Sequence, residues 1–186
     1  MKDRGSSDLW HIRDAAQQVA DAIAGALDVQ VTIVDHQLMQ IAGTDAFHHR
    51  IGTTIPASGY LGRKVMRDGQ IFSIFNSGAH PVCQGCPDLL TCQEKAGITS
   101  PIYIDGAVVG VLGLVAFNED QKRRLESEQR ALRYFLTKMC ELLAAKVKGQ
   151  RLLNDLLGMA GQLDAIIEGV VEGIIAIDDR GVITHA

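Results

Sequence analysis

No hydrophobic run in this 186-residue sequence approaches the ~18 residues a membrane-crossing helix needs, which excludes a helical membrane protein. The opening MKDRGSSDLW lacks the apolar segment of a secretory signal, so the expected setting is a reducing cytoplasm, where a structural disulfide is not expected. Strong charge of either sign is missing too. Lys and Arg number 18 against 22 Asp and Glu, a net charge of −4, and this leaves no basic footprint for nucleic acid. Lys122, Arg123, Arg124, Arg130 and Arg133 alternate with Asp120, Glu126, Glu128 and Glu141, the mixture of a solvated helix face. Catalytic signatures are absent as well. None of Ser6, Ser7, Ser58, Ser73, Ser77, Ser100 and Ser127 sits in G-x-S-x-G, the histidines show no H-E-x-x-H spacing, and the glycines form no nucleotide-binding loop. An enzyme is not expected. Cysteine is scarce, at 4 residues, yet three of them crowd into HPVCQGCPDLLTC.

What is present fits one full domain plus a fragment, since domains commonly run to about 100–150 residues. Hydrophobic residues at 47% and charged residues at 22% exclude disorder as the dominant state. Cys83, Cys86 and Cys92 form a Cys-x2-Cys-x5-Cys cluster beside Pro81, Val82, Pro87, Leu89 and Leu90. A thiolate is costly to bury unless a cation compensates it, so the cluster suggests a ligated centre in an apolar pocket. The bland alternative, three buried small hydrophobes, suits one loop holding Gly85 and Pro87 poorly. Structural zinc usually draws on two Cys/His pairs and the second pair is incomplete here. Three clustered thiols with a remote fourth ligand suit a 4Fe-4S cluster better, with zinc as the alternative. His80 is a candidate fourth ligand, or a hydrogen-bond donor to a thiolate from one layer out. Cys140 is another candidate and would couple the centre to a helix, although its neighbours Leu136, Leu143 and Val147 equally mark an inert core cysteine. His48-His49 is expected to be exposed. A lone cysteine nucleophile would not need two thiol neighbours that invite oxidation.

Periodicity orders the rest. Leu9, Ile12, Ala15, Ala16, Val19, Ile23 and Leu27 predict an amphipathic helix over Asp8 to Leu27, with Ser6 or Ser7 as cap. VQVTIVD and LMQIAG predict a hairpin of Val29 to Asp35 and Leu38 to Gly43. Gly52, Pro56, Gly59 and Gly62 punctuate a loop that leads to a helix over Tyr60 to Arg67. A third strand, Gln70 to Phe75, opens into the cysteine loop, in which Asp88 to Ala96 is expected to make one or two helical turns. Ile98 to Ile104 and Ala107 to Phe117 flank Asp105-Gly106, a tight hairpin signal, and should be the central strands. Asn118 or Asp120 should cap a long helix striped by Leu125, Leu132, Phe135, Leu136, Met139, Leu142, Leu143 and Val147. A further helical pattern from Leu152 to Ile167 precedes a turn at Asp178-Asp179-Arg180-Gly181 between strands Ile174 to Ile177 and Val182 to Thr184. One hairpin and one helix bury too little surface to fold alone, so the natural chain is expected to continue past Ala186. The fold class is α+β, an antiparallel sheet of about five strands with helices on one face and a long C-terminal signalling helix.

These segments resemble two signalling folds in series. IAGTDAFHHRIGTTIP, HPVCQGCPDLLTCQEKAGITSPI and GAVVGVLGLVAFNEDQ resemble the GAF-like sensory module at the N-terminus of sigma-54-dependent transcriptional activators. QLDAIIEGVVEGIIAIDDRGVITHA, Gln162 to Ala186, is similar to the entry segment of a PAS domain. The implied organisation is a GAF-like sensor over 1–148 with its cysteine loop at 80–92, a linker helix over 149–169, and the start of a PAS domain over 170–186. The resemblance further implies a downstream PAS domain, an AAA+ ATPase and a helix-turn-helix domain. Neither a G-x4-G-K-[ST] loop nor a recognition helix lies within these residues, and related modules also precede histidine kinases. Some resembling modules carry a cysteine just before the proline that matches Pro101, where this chain has Thr99-Ser100, so a four-thiolate set is not implied.

The expected function is a cytoplasmic sensory and regulatory domain. Its cysteine centre would respond to redox state, oxygen or another diatomic gas, and would bias a homodimer formed through its helices. The alternative is a small-molecule-binding module with a cleft lined by Thr44 to Gly69 and the central strands, its cysteines holding structural zinc. A third reading is a dimerising scaffold with no ligand.

Overall fold

The computed structural model describes residues 7–55, 60–87, 89–169, 176–177, 180 and 182–185. Ser6, Pro56 and Gly59, the expected strand start at 174–175, and the turn residues Asp178, Asp179 and Gly181 lie outside the described residues. The chain divides into two compact units, Met1–Lys148 and Gly149–Ala186.

The first periodic segment is two helices, α1 (Asp8–His11) and α2 (Arg13–Leu27), separated at Ile12, whose φ of −111° and ψ of 17° leave the helical region. The apolar repeat survives the break, because Leu9, Ile12, Ala16, Ala20 and Ile23 are all buried in one core. Asp28 closes α2 in the left-handed region, its N–H donating to the Ala24 carbonyl. Strands β1 (Gln30–Asp35) and β2 (Gln40–Gly43) form the expected hairpin, but β2 begins later than Leu38. The buried Asp35 carboxylate accepts from the Gln37 and Met39 N–H groups at 2.9 and 2.8 Å and holds Leu38 at φ 64°, which turns the intervening residues into a capped loop.

After a 3-10 helix at Asp45–Arg50 come α3 (Tyr60–Asp68), β3 (Phe72–Ile74), a second 3-10 helix at Pro81–Gly85, β4 (Ala96–Ile104) and β5 (Ala107–Ala116). The sheet is antiparallel with order β2-β1-β5-β4-β3. Asp105 and Gly106, at φ 52° and 82°, make the β4–β5 turn with both residues left-handed, as the Asp-Gly pair predicts. Gly110 of β5 lies so close to the Val34 carbonyl and the Leu9 side chain that a Cβ there would collide with both.

Five strands and the α+β class match the expectation, with one difference in how the helices are placed. Side chains alternate across a strand, so Ile33 and Leu112 face one side while Val34 and Val111 face the other. The first side is the main core, where α1, α2, α4 (Glu119–Ser127) and α5 (Gln129–Gly169) bury Leu9, Ile23, Leu125, Leu136 and Leu143 against Val31, Ile98, Ile102 and Leu114. Helix α3 covers the second side, where Val65 packs on Val34 and Val111 with Leu61 and Phe72 nearby. A sheet covered on both faces explains why β5 reads as a continuous apolar run with no polar alternation.

Asn118 caps α4, its Oδ1 accepting from the Gln121 N–H at 2.8 Å. The expected single helix breaks at Glu128, φ −110° and ψ 16°, before α5 continues for 41 residues, about 60 Å of helix at 1.5 Å per residue. Its stretch in the first unit buries Leu132, Leu136, Cys140, Leu143, Ala144 and Val147. In the second unit, α5 presents Leu152, Leu153, Leu156, Leu157, Met159 and Leu163 exposed, and β6 (Ala176–Ile177) pairs antiparallel with β7 (Ile183–His185). Among the described residues no helix is long and apolar enough to cross a membrane.

Candidate ligand cavity and cysteine loop

The cysteine loop leaves the end of β3 and is ordered by its own backbone. His80 caps the 3-10 helix at Pro81–Gly85, its Nδ1 accepting from the Val82 N–H at 3.2 Å, and Pro81 supplies a preset φ at the first position. The Cys86 N–H then donates to the Cys83 carbonyl at 2.9 Å, and the Leu89 N–H to the Cys86 carbonyl at 3.2 Å. The helical turn expected over Asp88 to Ala96 is instead placed earlier, at Pro81–Gly85, and Ala96 already belongs to β4. Proline at the start and a histidine cap favour the earlier site, whereas the later residues rejoin the sheet, the Lys95 N–H donating to the Ala116 carbonyl at 2.7 Å.

Between this loop and the 3-10 helix at Asp45–Arg50 lies a cavity of about 470 Å³ on the α3 side of the sheet. Phe47, Leu61, Ile74, Val82, Leu89 and Phe117 give it apolar walls, and Arg50, Ser77, Thr91, Gln93 and Glu94 add polar groups. The Phe47 and Phe117 rings stand 6.0 Å apart at 46°. Cys83, Cys86 and Cys92 all line this one cavity, and none is in a disulfide. Partial desolvation pushes the Cys92 thiol up from its ordinary value of 9.0, against a hydrogen bond to the Glu94 carbonyl, and the nearby charges of Glu94, Cys86 and Cys83 push the same way. Glu94 is also pushed up by burial, with the Arg50 guanidinium opposing.

The structure thus gathers the three loop cysteines and leaves out both candidate fourth ligands. His80 faces a separate groove with Ser73, Phe75, Asn76 and Gln129, its Nδ1 already engaged as a cap. Cys140 is buried in the main core, its Sγ 3.9 Å from the Ser100 carbonyl, and desolvation pushes the thiol up to about 12. It is not among the residues that line the cavity. Among the described residues no three His, Cys, Asp or Glu side chains are grouped to hold a metal ion, so the loop cysteines share a wall without converging as a ligand set. His48 and His49 are exposed.

Arg50, Glu94, Phe47 and Phe117 were not singled out from the sequence. Glu94 stands two residues beyond Cys92 in a loop that also holds Gln84, Thr91, Gln93 and Lys95, so nothing local marked it out. The segment that leads into the cysteine loop is tied to the helices. Arg133 of α5 donates to the Ile71 carbonyl at 3.2 Å and the Ser73 hydroxyl at 3.1 Å, and Lys122 of α4 to Asn76 Oδ1 at 2.8 Å. Both contacts hold the strand and turn that feed the cysteine loop.

No protein-family model matches the chain. Over 172 residues, 92% of this chain, it is 25% identical to a protein of Escherichia coli that bears the name of a uric acid sigma-54-dependent transcriptional regulator, UacR. The chain spans about 29% of that relative's length. Among solved structures, the GAF domain of a phosphoenolpyruvate-protein phosphotransferase from Coxiella burnetii superposes with a TM-score of 0.55 at 16% identity, covering 77% of this chain and 86% of that one. Free methionine-R-sulfoxide reductase from Neisseria meningitidis, solved with its substrate, gives 0.53 at 17% identity, covering 77% and 81%. These likenesses show a GAF fold. The GAF-like domain and the sigma-54 regulator resemblance read from the sequence are both borne out; the PAS start is untested, most of residues 170–186 lying outside the described ones.

Proposed function

We propose that this chain is the signal-receiving region of a cytoplasmic sigma-54-dependent transcriptional regulator, and that the cavity beneath the cysteine loop is its receptor site for a small organic ligand. The observation that carries this reading is a 470 Å³ cavity with apolar walls and a few polar groups, the size and character of small-molecule sites, beside a strand and turn that bond to α4 and α5. The name of the Escherichia coli relative makes uric acid the first ligand to test. Occupancy shifts the loop and repositions β3, and the Arg133 and Lys122 contacts pass that change to the helices. The domain binds and does no chemistry of its own. Leu152, Leu156, Met159 and Leu163 recur at alternating steps of four and three on an exposed helix face, the 3.5-residue repeat of a coiled coil, and support a homodimer through this segment. PAS, AAA+ and helix-turn-helix domains would follow in the full-length regulator. Titration calorimetry of the purified chain with uric acid tests the reading. Saturable one-to-one binding that Leu61→Trp, which fills the cavity, abolishes without unfolding the domain is the expected result.

A second reading is a metal or 4Fe-4S centre, with zinc as its alternative, and the shared lining by Cys83, Cys86 and Cys92 supports it. Only three sulfur donors lie there, and they do not converge as placed, so the loop would have to close around the group. Anaerobic purification with iron, sulfide and zinc analysis decides it, and protein free of all three under strict anaerobiosis excludes such a centre.

A further inference from the structure

Two charged side chains line the cavity without using each other. The guanidinium of Arg50 is half-buried, and its one side-chain hydrogen bond among the described residues is a long one of 3.4 Å to His49. The carboxyl of Glu94, also half-buried, makes no hydrogen bond or ion pair there, although the two are near enough for the Arg50 charge to act on it. Withdrawing a guanidinium and a carboxyl from water with no mutual pair costs free energy that a ligand can recover. A guanidinium offers only N–H donors and an ionised carboxyl only acceptors, so the pair reads a molecule that places acceptors and donors side by side. Phe47 and Phe117 supply aromatic faces on the same cavity.

Resting on the receptor reading above, we propose that Arg50 and Glu94 are the specificity pair of this cavity and that its ligand class is a planar heterocycle bearing ring lactams. A ring carbonyl accepts from Arg50, the neighbouring ring N–H donates to Glu94, and the ring face lies against Phe47 or Phe117. This chemistry selects for oxidised purines and against their N-methylated counterparts, which keep the shape and carbonyls but have lost the donor.

Calorimetry of the whole chain with uric acid, xanthine, caffeine and succinate tests this, with Arg50→Met and Glu94→Gln as variants and circular dichroism melting as the check on folding. Uric acid or xanthine should bind, and caffeine should bind at least tenfold more weakly. Each variant should lose about ten- to hundredfold in affinity while its ligand-free melting midpoint holds, as expected for one hydrogen bond that leaves its partner unpaired. Equal binding of uric acid to the parent and both folded variants overturns the pair and leaves the receptor reading standing. Binding of succinate in place of every lactam overturns the ligand class alone. A folded parent that binds none of the four overturns the proposal and removes support from the receptor reading as well.

Discussion

The two sides of the sheet treat the same residue type in opposite ways. On the side covered by α1, α2, α4 and α5, Cys140 is sealed among core side chains and its thiol is pushed up to about 12. On the α3 side, Cys83 and Cys86 are half-buried and Cys92 exposed, around a cavity that also holds Arg50 and Glu94. Position on the sheet, and not residue chemistry, separates a small apolar filler from a group available to a ligand. One side holds the main hydrophobic core and the other the cavity, and the contacts of Arg133 and Lys122 with the β3 edge join them.

Five measurements break or sharpen this contrast. The largest effect is expected from Leu136→Ala, since Leu136 is fully buried in the main core. Urea unfolding should show a loss of about 2–5 kcal/mol, the cost of a core cavity. A loss below about 1 kcal/mol would dissolve the distinction between the sides.

Next comes alkaline pH. A Cys140 thiol at about 12 when folded against its ordinary 9.0 binds its proton more tightly in the native state, so stability holds below about pH 9 and falls as pH rises toward 12. Melting between pH 8 and 10.5 should show this decline, and Cys140→Ala should flatten it. In the same protein at pH 8, iodoacetamide should label Cys83, Cys86 and Cys92 without denaturant and Cys140 only after unfolding, as peptide mass mapping reads.

A smaller effect is expected from Arg133→Ala, which removes the bonds to Ile71 and Ser73. It should cost about 1 kcal/mol, and hydrogen exchange should rise over 71–75 while α2 stays protected; unchanged exchange there would mean that β3 does not depend on the helix. The smallest is Leu90→Ser, at a side chain 98% exposed beside the cavity, which should stay within about 0.5 kcal/mol of the parent by urea unfolding.

The elements were legible wherever the signal was local. Asp105-Gly106 announced its hairpin because the turn needs two residues that tolerate positive φ, and Asn118 announced α4 because a side-chain acceptor must meet the first free N–H groups. The candidate site was legible only in part. Cys83, Cys86 and Cys92 stand close in sequence, so their sharing one cavity was foreseeable. His80 stands as close, yet its ring serves as a helix cap and faces another groove. Arg50 belongs to a segment whose weak periodicity gave no reason to place it opposite Glu94.

The amino-acid order by itself determined the five strands of the sheet, the start of α4 at Asn118 and the Asp105-Gly106 turn, because hydrogen-bonding capacity, side-chain periodicity and allowed φ act over a few residues. Tertiary structure alone decided which face of the sheet each helix covers, and with it the separation of Cys140 from the loop cysteines and the approach of Arg50 to Glu94. Those outcomes depend on packing between segments remote in sequence, where a strand's two faces are equivalent until a helix buries one of them.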